Sequence, residues 1–276
     1  MMQKPDFAII GAMKCGTSTL HAQLAAQPGV FMSSPKEPNF FSDDDIYARG
    51  LAWYESLFTN APEGALKGEA STHYTKLPTY PECADRLHAA LPDLRLIYMV
   101  RDPFDRMVSH YIHEWTMGVI TMPLEAAIER HPELVAYGCY ARQIEPYVKR
   151  YGVEQILVLS LEDMQSDPQG TLHRVGRFLG LPTQPVWQAE QAEVNVSAER
   201  LRRFPFYGLM VDHPVAAALR RSLVPRWMRD AVKDRLRMRE RPHLDALTRA
   251  RLAETFAADR ERLETMFPAL RADTSA

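Results

Sequence analysis

The residues best suited to chemistry lie near the start of the chain, in the stretch GAMKCGTST. Its members are two glycines, a lysine and three hydroxyl residues: Gly11, Gly16, Lys14, Thr17, Ser18 and Thr19. Glycines let backbone N–H groups crowd around an anion, and a helix N-terminus carries partial positive charge. The lysine adds a full charge and the hydroxyl groups add donors. The stretch therefore predicts a phosphate or sulfate site, and its plain alternative is a glycine turn with a surface lysine.

A strand and a helix must position this loop. Residues 7–10 form a short apolar run typical of a buried parallel strand, and Leu20 and Leu24 are spaced to face a core from a helix. The loop is not a Walker A sequence, because Gly16 is followed by Thr17 and the lysine comes earlier. The usual arrangement for a triphosphate with its magnesium is therefore not indicated.

A second basic stretch, RDPFDRMVSHY, follows another apolar strand predicted over residues 94–100. Pro103 suits the first turn of a helix, which leaves Arg101 and Ser109 near the carboxyl end of the strand. Ligands bind at this edge of open α/β sheets, and an arginine fork and a serine hydroxyl can both donate to phosphate oxygens. The stretch predicts a second anion site, and the alternative is an Arg101–Asp102 ion pair that caps the helix.

A carboxylate, Glu37, lies between Pro35 and Pro38 in the segment SPKEPNFF. The two prolines force an irregular, extended backbone, which can aim Glu37 into a pocket. The alternative is a surface loop in which Glu37 faces water. His73 is a second candidate base, since the ordinary pKa of an imidazole suits proton transfer near neutral pH.

The composition is that of an ordinary soluble globular protein. The chain has 276 residues, 46% of them hydrophobic and 25% charged, with a formal net charge of −2. This balance gives no general attraction to nucleic acid. No apolar stretch reaches the roughly 20 residues of a membrane helix, and we expect no signal peptide. The three cysteines fit no zinc or disulfide spacing, so we expect a cytoplasmic protein in which Cys15 only packs.

Strand patterns alternate with helical patterns as far as residue 194, which indicates an open parallel β-sheet flanked by helices. From residue 195 arginines become frequent and only helical patterns remain. We therefore expect a single domain over residues 1–276, with an α/β core at 1–194 and a helical, arginine-rich cap at 195–276. We expect most of these arginines to be exposed to solvent. Arg237, Arg239 and Arg241 are different, because they predict a basic loop able to close over an anion.

Taken together, these stretches resemble the sulfotransferases that use 3′-phosphoadenosine 5′-phosphosulfate (PAPS), in particular the heparan-sulfate-type and bacterial branch. GAMKCGTSTL is similar to that family's 5′-phosphosulfate loop, RDPFDRMVSHY to its 3′-phosphate motif, and KEPNFF to its acid-bearing segment. GEASTHY, LSLEDMQSDP and RPHLD also fit. The resemblance covers most of the chain and implies a P-loop-like α/β fold.

The resemblance also implies a role for each matched residue. The 5′-phosphosulfate would be held by Lys14, Gly16, Thr17 and Ser18, and the 3′-phosphate by Arg101 and Ser109. Glu37 would be the catalytic base, and Arg237 and Arg239 would come from a loop that closes over the donor. No metal is implied, because lysine and arginine supply the positive charge. Two departures are Ala70, where some relatives have lysine, and Met238, where relatives often have glycine.

The implied function is transfer of a sulfuryl group from PAPS to a hydroxyl or amine of a small-molecule or carbohydrate acceptor. Two alternatives remain open at this point: a P-loop nucleotide kinase-like enzyme and a non-catalytic nucleotide-binding module. The sequence does not identify the acceptor or the oligomeric state. A set of aromatic residues could line the acceptor pocket or belong to the core: Trp53, Tyr74, Trp115 and Tyr140.

Overall fold

A five-stranded, wholly parallel sheet forms the centre of the computed structural model, which describes residues 4–191, 238 and 240–270. The strands are β1 (Phe7–Gly11), β2 (Val30–Met32), β3 (Leu66–Ala70), β4 (Arg95–Val100) and β5 (Ile156–Ser160). Their order across the sheet is β2-β3-β1-β4-β5. Because every strand runs the same way, all five carboxyl ends lie at one edge.

Helices connect and follow the strands. After β1 comes α1 (Thr17–Ala25), and after β2 come α2 (Asp44–Tyr47) and α3 (Leu51–Ser56). A 3-10 turn (Thr72–Thr75) and α4 (Cys83–Ala90) follow β3. After β4 come α5 (Pro103–Thr116), α6 (Leu124–Arg130), α7 (Glu133–Ala136), α8 (Tyr140–Tyr151) and a 3-10 turn (Val153–Gln155). The chain continues after β5 through α9 (Leu161–Ser166), α10 (Pro168–Leu179) and, near its end, α11 (Ala246–Met266).

Strand β1 is the middle of the sheet and is buried along its whole length. It pairs with β3 on one side and β4 on the other, so that Ile9 is level with both Ala70 and Ile97. The chain moves from β1 to one side of the sheet and returns to the other after β3. Ligands bind at the carboxyl ends of the strands where the direction of winding reverses. The topology therefore points to the loops that follow β1, β3 and β4.

Two apolar clusters lie beneath this edge. The larger contains the sheet, and the smaller lies among α5, α6 and the first half of α11. Helix α11 belongs to both, through Phe256 in the smaller cluster and Leu263 in the larger. Its Asp259 accepts hydrogen bonds from the backbone N–H groups of Ala141 (2.8 Å) and Arg142 (3.1 Å), at the start of α8. The α8 N-terminus has no side-chain cap of its own, so α11 supplies one.

The predicted α/β class and the parallel, helix-flanked sheet are confirmed, and the strands predicted at residues 7–10 and 94–100 lie within one residue of the observed β1 and β4. Helices α2 and α3 are separate short helices, because Gly50 adopts a φ of 82° between them. Most of the predicted cap, including Arg237 and Arg239, lies outside the described residues, so the division at residue 194 stays a prediction. Within the described ranges, no helix combines the length and apolarity needed to cross a membrane.

Candidate active site

The loop between β1 and α1 presents an uncapped helix N-terminus at the ligand-binding edge. Gly16 is the N-cap residue of α1, and neither a side-chain cap nor an acidic residue accompanies its first turn. The helices that follow β4 and β5 differ, since Asp102 caps α5 and Ser160 caps α9 with their own side chains. The free N–H groups and partial positive charge of α1 are therefore available to an external anion.

Gly16 is required here for two reasons. Its φ is 84°, a left-handed conformation that favours glycine, and a Cβ atom would lie 2.7 Å from Leu161 Cδ1 and 2.8 Å from Met164 Cε. The neighbouring Cys15 is fully buried, with its Sγ 3.5 Å from the hydroxyl oxygen of Tyr140. Burial raises the pKa of Cys15 to about 11, which agrees with the predicted packing role.

Lys14 stands on this loop in a strained conformation, with a φ of 70°. Burial lowers the pKa of its ammonium group, and the positive charge of Arg101 lowers it further. The carboxylates of Glu114 and Glu37 oppose this effect. Two like charges brought together from β1 and β4 would both be stabilised by a bound anion. The two predicted basic stretches thus meet at one edge of the sheet.

The Arg101 guanidinium lies 3.6 Å from Asp105, one turn further along the chain, with its side chain 19% exposed. The alternative of an Arg101–Asp102 ion pair is wrong, because Arg101 pairs with Asp105. Asp102 caps α5 by accepting a hydrogen bond from the Asp105 backbone N–H. Asp105 is shared with Arg241, whose Nη2 lies 2.6 Å from its carboxylate. Ser109 is half-buried further along α5. Arg241, the described member of the predicted arginine cluster, is thereby placed beside α5, which carries Ser109 and directly follows Arg101.

Glu37 is held by backbone and side-chain bonds together. Its N–H donates to the Ala70 carbonyl at 2.9 Å, and its φ is 57°. Lys36 Nζ lies 3.2 Å from one carboxylate oxygen, and the Thr72 hydroxyl donates to the other at 3.2 Å. The Glu37 side chain is 31% exposed, so it is neither the freely solvated group of the plain alternative nor fully enclosed.

A buried carboxylate, Glu69, supports this segment from the end of β3. Hydroxyl groups of Tyr54 and Tyr74 donate to one of its oxygens at 2.8 Å, and that of Ser71 donates to the other at 2.7 Å. Burial raises the pKa of Glu69, while the hydroxyl donors lower it. The Ser71 oxygen also accepts from the backbone N–H of Asn39 at 3.1 Å, which links the network to the Glu37 segment.

The predicted second base, His73, lies next to the same region. Its ring stacks on Tyr80 with centroids 4.8 Å apart, and its Nδ1 is buried without a hydrogen-bond partner in the described part of the chain. Burial, aided by Lys76, lowers the pKa of His73 to about 4, so the ordinary value expected from the sequence does not hold. Lys76 itself has its pKa lowered to about 8 by burial.

Arg106, the second arginine of the stretch RDPFDRMVSHY, lies on α5. It is fully buried, and its guanidinium donates to the Leu134 carbonyl and contacts His110 Nδ1. Arg106 Nε and Nη1 have no hydrogen-bond partner among the described residues. His110 Nε2 lies 3.4 Å from Glu114, and burial lowers the His110 pKa to about 4, so a neutral ring donates to that carboxylate. The Arg-x-x-x-His spacing on one helix could have suggested the contact.

The aromatic residues divide between core and partial burial. Tyr74 and Tyr140 are buried in the core, whereas Trp53 and Trp115 pack on the edges of the two apolar clusters. The described ranges contain no group of three or more histidine, cysteine or acidic residues able to hold a metal ion. Arg237 and Arg239 lie outside the described residues, and their proposed role stays a prediction.

A parallel sheet with a glycine loop, an uncapped helix N-terminus and converging basic residues defines a phosphate-binding α/β protein of the P-loop-like class. Residues 4–256 match the model of the sulfotransferase domain family, and the chain belongs to that family. A sulfotransferase from Alicyclobacillus acidocaldarius has a similar structure, with a TM-score of 0.57 and 30% identity over 68% of this chain and 88% of that one. Mouse SULT7A1, solved in complex with PAP (3′-phosphoadenosine 5′-phosphate), shares the fold with a TM-score of 0.55 and 17% identity. The match covers 99% of this chain and 89% of the mouse chain.

Curated relatives include two heparan sulfate glucosamine 3-O-sulfotransferases. Form 3A1 from Mus musculus is 34% identical over 191 residues, which cover 65% of this chain and 46% of that protein. Form 6 from Homo sapiens is 33% identical over 185 residues, which cover 64% of this chain and 52% of that protein. The chain thus spans about half the length of the curated relatives it matches.

Proposed function

We propose that this protein is a sulfotransferase that moves the sulfuryl group of PAPS to a hydroxyl or amine of a carbohydrate or small-molecule acceptor. The observation that carries the proposal is the position of Glu37 beside the anion loop, by which we mean residues 11–19, from the end of β1 to the first turn of α1. A single ammonium group, Lys36 Nζ, lies 2.6 Å from the Ser18 hydroxyl on that loop and 3.2 Å from the Glu37 carboxylate. A carboxylate able to take a proton therefore lies next to a site suited to a phosphosulfate.

The residues present fit a nucleotide with phosphate groups at two positions. The uncapped N-terminus of α1, with Lys14 and the hydroxyl groups of its first turn, suits the 5′ end. Arg101 and Ser109 come from β4 and α5, on the other side of β1, and suit the 3′-phosphate. The donor supplies an activated sulfuryl group and a phosphate that leaves. Lys14 and the loop N–H groups would stabilise the negative charge that develops on the leaving oxygen.

Glu37 would accept the proton of the acceptor nucleophile. Each carboxylate oxygen already accepts one bond, from Lys36 or Thr72, and retains a further lone pair for the acceptor. Both donors fix the direction of the carboxylate, which is the geometric requirement for a general base. His73 remains the second candidate, and at neutral pH its ring is neutral and able to accept a proton.

The names of the relatives indicate a broad class of acceptor. The named relatives act on heparan sulfate glucosamine, which favours a sugar acceptor. Ala70 ends β3 and is buried, so it offers no charged group to an acceptor. The cytoplasmic location expected from the sequence stays a prediction.

Binding and turnover together test the proposal. We expect 3′-phosphoadenosine 5′-phosphate (PAP) to bind in EDTA by calorimetry, and ³⁵S to pass from labelled PAPS to an acceptor in a panel of sugars and phenols. Tight binding of ATP with magnesium in place of PAP would favour the kinase-like alternative. PAP binding without transfer to any acceptor, including extracts of the host, would favour the non-catalytic module.

The variant Lys14→Ala tests the role of Lys14 in turnover. We expect it to lower the rate of transfer by about 10²- to 10³-fold or more, because a fixed donor to the developing charge is lost. The control is Lys149→Ala, which removes an exposed lysine paired with Glu145 on α8. Near-normal turnover of Lys14→Ala would remove Lys14 from the mechanism.

A further inference from the structure

Lys36 joins two parts of the site that come from different elements. It lies between β2 and α2, directly before Glu37, and its ammonium group contacts both Ser18 in the first turn of α1 and the Glu37 carboxylate. The Lys36 side chain is 31% exposed, as is that of Glu37. An ammonium group has three donors and no acceptor, so it can hold a hydroxyl and a carboxylate at once.

The backbone around Lys36 is fixed, which limits where its side chain can reach. The backbone N–H of Ser33 donates to the Gly68 carbonyl at 2.9 Å, and the backbone N–H of Glu37 donates to the Ala70 carbonyl at 2.9 Å. Asn39, two residues further, donates to Ser71 Oγ at 3.1 Å and has a φ of 52°. Hydrogen bonds to β3 therefore hold the backbone of this segment on both sides of Lys36. They do not determine the directions of the Lys36 and Glu37 side chains.

Lys14 and Lys76 act on the Glu37 carboxylate through their charge, whereas Lys36 makes the direct contact recorded in the described part of the chain. His21 lies on the next turn of α1, where burial and the charge of Lys36 lower its pKa to about 4. Thr72 holds the other oxygen of Glu37. Lys36 is therefore the cation bonded to Glu37, and its second bond ends on the anion loop.

We propose that Lys36 is a positioning residue that orients the Glu37 carboxylate and fixes its distance from the anion loop through Ser18. This inference rests on the proposed function, since it assumes that Glu37 is the base. Lys36 acts through Glu37, so its loss matters only while Glu37 can take a proton. Displacement of a reacting group by about 1 Å can cost about 100-fold in rate, which sets the scale expected for losing this contact.

A double-mutant cycle between Lys36→Met and Glu37→Gln tests the proposal. We expect Lys36→Met to lower kcat by about 10- to 100-fold while the Kd for PAP stays within about threefold of the wild-type value. Lys36→Arg, which keeps the charge and the donors, should recover part of the loss. The double variant should turn over within about threefold of Glu37→Gln alone, because the two residues act as a unit.

The control is Lys149→Met, a lysine in an exposed ion pair on α8. Losses that multiply in the double variant would overturn the proposal, as would a Lys36→Met variant that loses PAP affinity and keeps its kcat. If Lys36→Met has a lowered melting temperature, Lys36→Gln replaces it in the same cycle. Failure of the wild-type protein to transfer sulfate would count against the proposed function, whereas normal wild-type turnover with an additive cycle counts only against the role of Lys36.

Discussion

Three residues other than glycine have a positive φ in the described ranges, and all three lie at the proposed site: Lys14, Glu37 and Asn39. Such conformations cost free energy, of the order of 1–3 kcal/mol each, and persist where the surroundings hold them. At Glu37 and Asn39 the holding groups are the Ala70 carbonyl and the Ser71 hydroxyl. The strain therefore marks the two side chains on which the proposed chemistry depends most, Lys14 and Glu37.

The roles of Glu37 and His73 can be separated by single substitutions. We expect Glu37→Gln to lower kcat by about 10²- to 10⁴-fold, since it removes the proton acceptor, while PAP affinity changes little. His73→Ala should have the smaller effect, because its pKa of about 4 makes the ring a weak base. The measurement is steady-state kinetics beside PAP titration, with exposed Glu154→Gln as the control. A larger loss for His73→Ala would move the base to His73.

At this scale the sequence identified residue types better than partners. Lys14, Arg101 and the hydroxyl run could be proposed because they follow recognisable strands, and Glu37 could be proposed because two prolines flank it. The bonds from Lys36 to Ser18 and from Arg101 to Asp105 could not, since they depend on how segments approach in three dimensions. Likewise the shifted pKa of His73 depends on burial, which a single sequence does not define.

Helix α1 and its loop are the element on which the proposed anion binding depends. We expect Gly16→Ala to lower PAP affinity at least about tenfold, because alanine is strained at this positive φ and its Cβ would force either the ends of the Leu161 and Met164 side chains or the loop to move. Gly29→Ala is a matched control: it has a φ of 77° but nothing within 4 Å of the added Cβ. Both changes should cost about 1–2 kcal/mol of stability from backbone strain. Equal PAP affinities in the two variants would show that the Gly16 backbone does not shape the site.

The Glu69 network gives a second test at the level of an element. Ser71→Ala and Tyr54→Phe each remove one hydroxyl donor from the same buried carboxylate, so both should destabilise the fold by about 1–3 kcal/mol. Only Ser71→Ala also frees the Asn39 N–H, and we therefore expect only this variant to lower kcat. Urea unfolding and turnover measured on both variants check the difference. A similar kcat in the two would mean that the network supports the fold without positioning Glu37.

Across the whole molecule, parallel pairing could be predicted because apolar strands alternate with helical patterns. The strand order could not, because the sequence does not show that β3 inserts between β2 and β1. The contacts of α11 were equally hidden, since a helical pattern near the end of a chain does not reveal which helices it caps. The order matters for function, because it is what brings the loops after β1, β3 and β4 to one place.

Stability should fall as the solution is acidified from about pH 7 to about pH 5. Burial lowers the pKa of three histidines to about 4, His21, His73 and His110, whereas an unfolded histidine titrates near 6.5. Between these values the unfolded chain binds more protons, so unfolding becomes easier as pH falls, by less than about 1.4 kcal/mol per pH unit for each group. Buried Glu69 and Asp259, whose pKa values are raised, act in the opposite direction.

Urea unfolding of the wild type and of His21→Gln at both pH values isolates one of these contributions. His21 Nε2 has no hydrogen-bond partner among the described residues, so the substitution removes a titrating group without breaking a hydrogen bond to that nitrogen. The variant should lose less stability on acidification than the wild type. An identical loss in both would assign the acid sensitivity to other groups.

Asp259 on α11 holds the start of α8, and Tyr140, the first residue of α8, touches Cys15 in the anion loop. The loop lies between β1 and α1, yet the helix that supports it is anchored by α11, which comes much later in the sequence. During synthesis on the ribosome, the support that α8 gives to the proposed donor site would therefore be complete only after α11 has been made. A growing chain should not gain its full hold on the nucleotide until α11 has emerged.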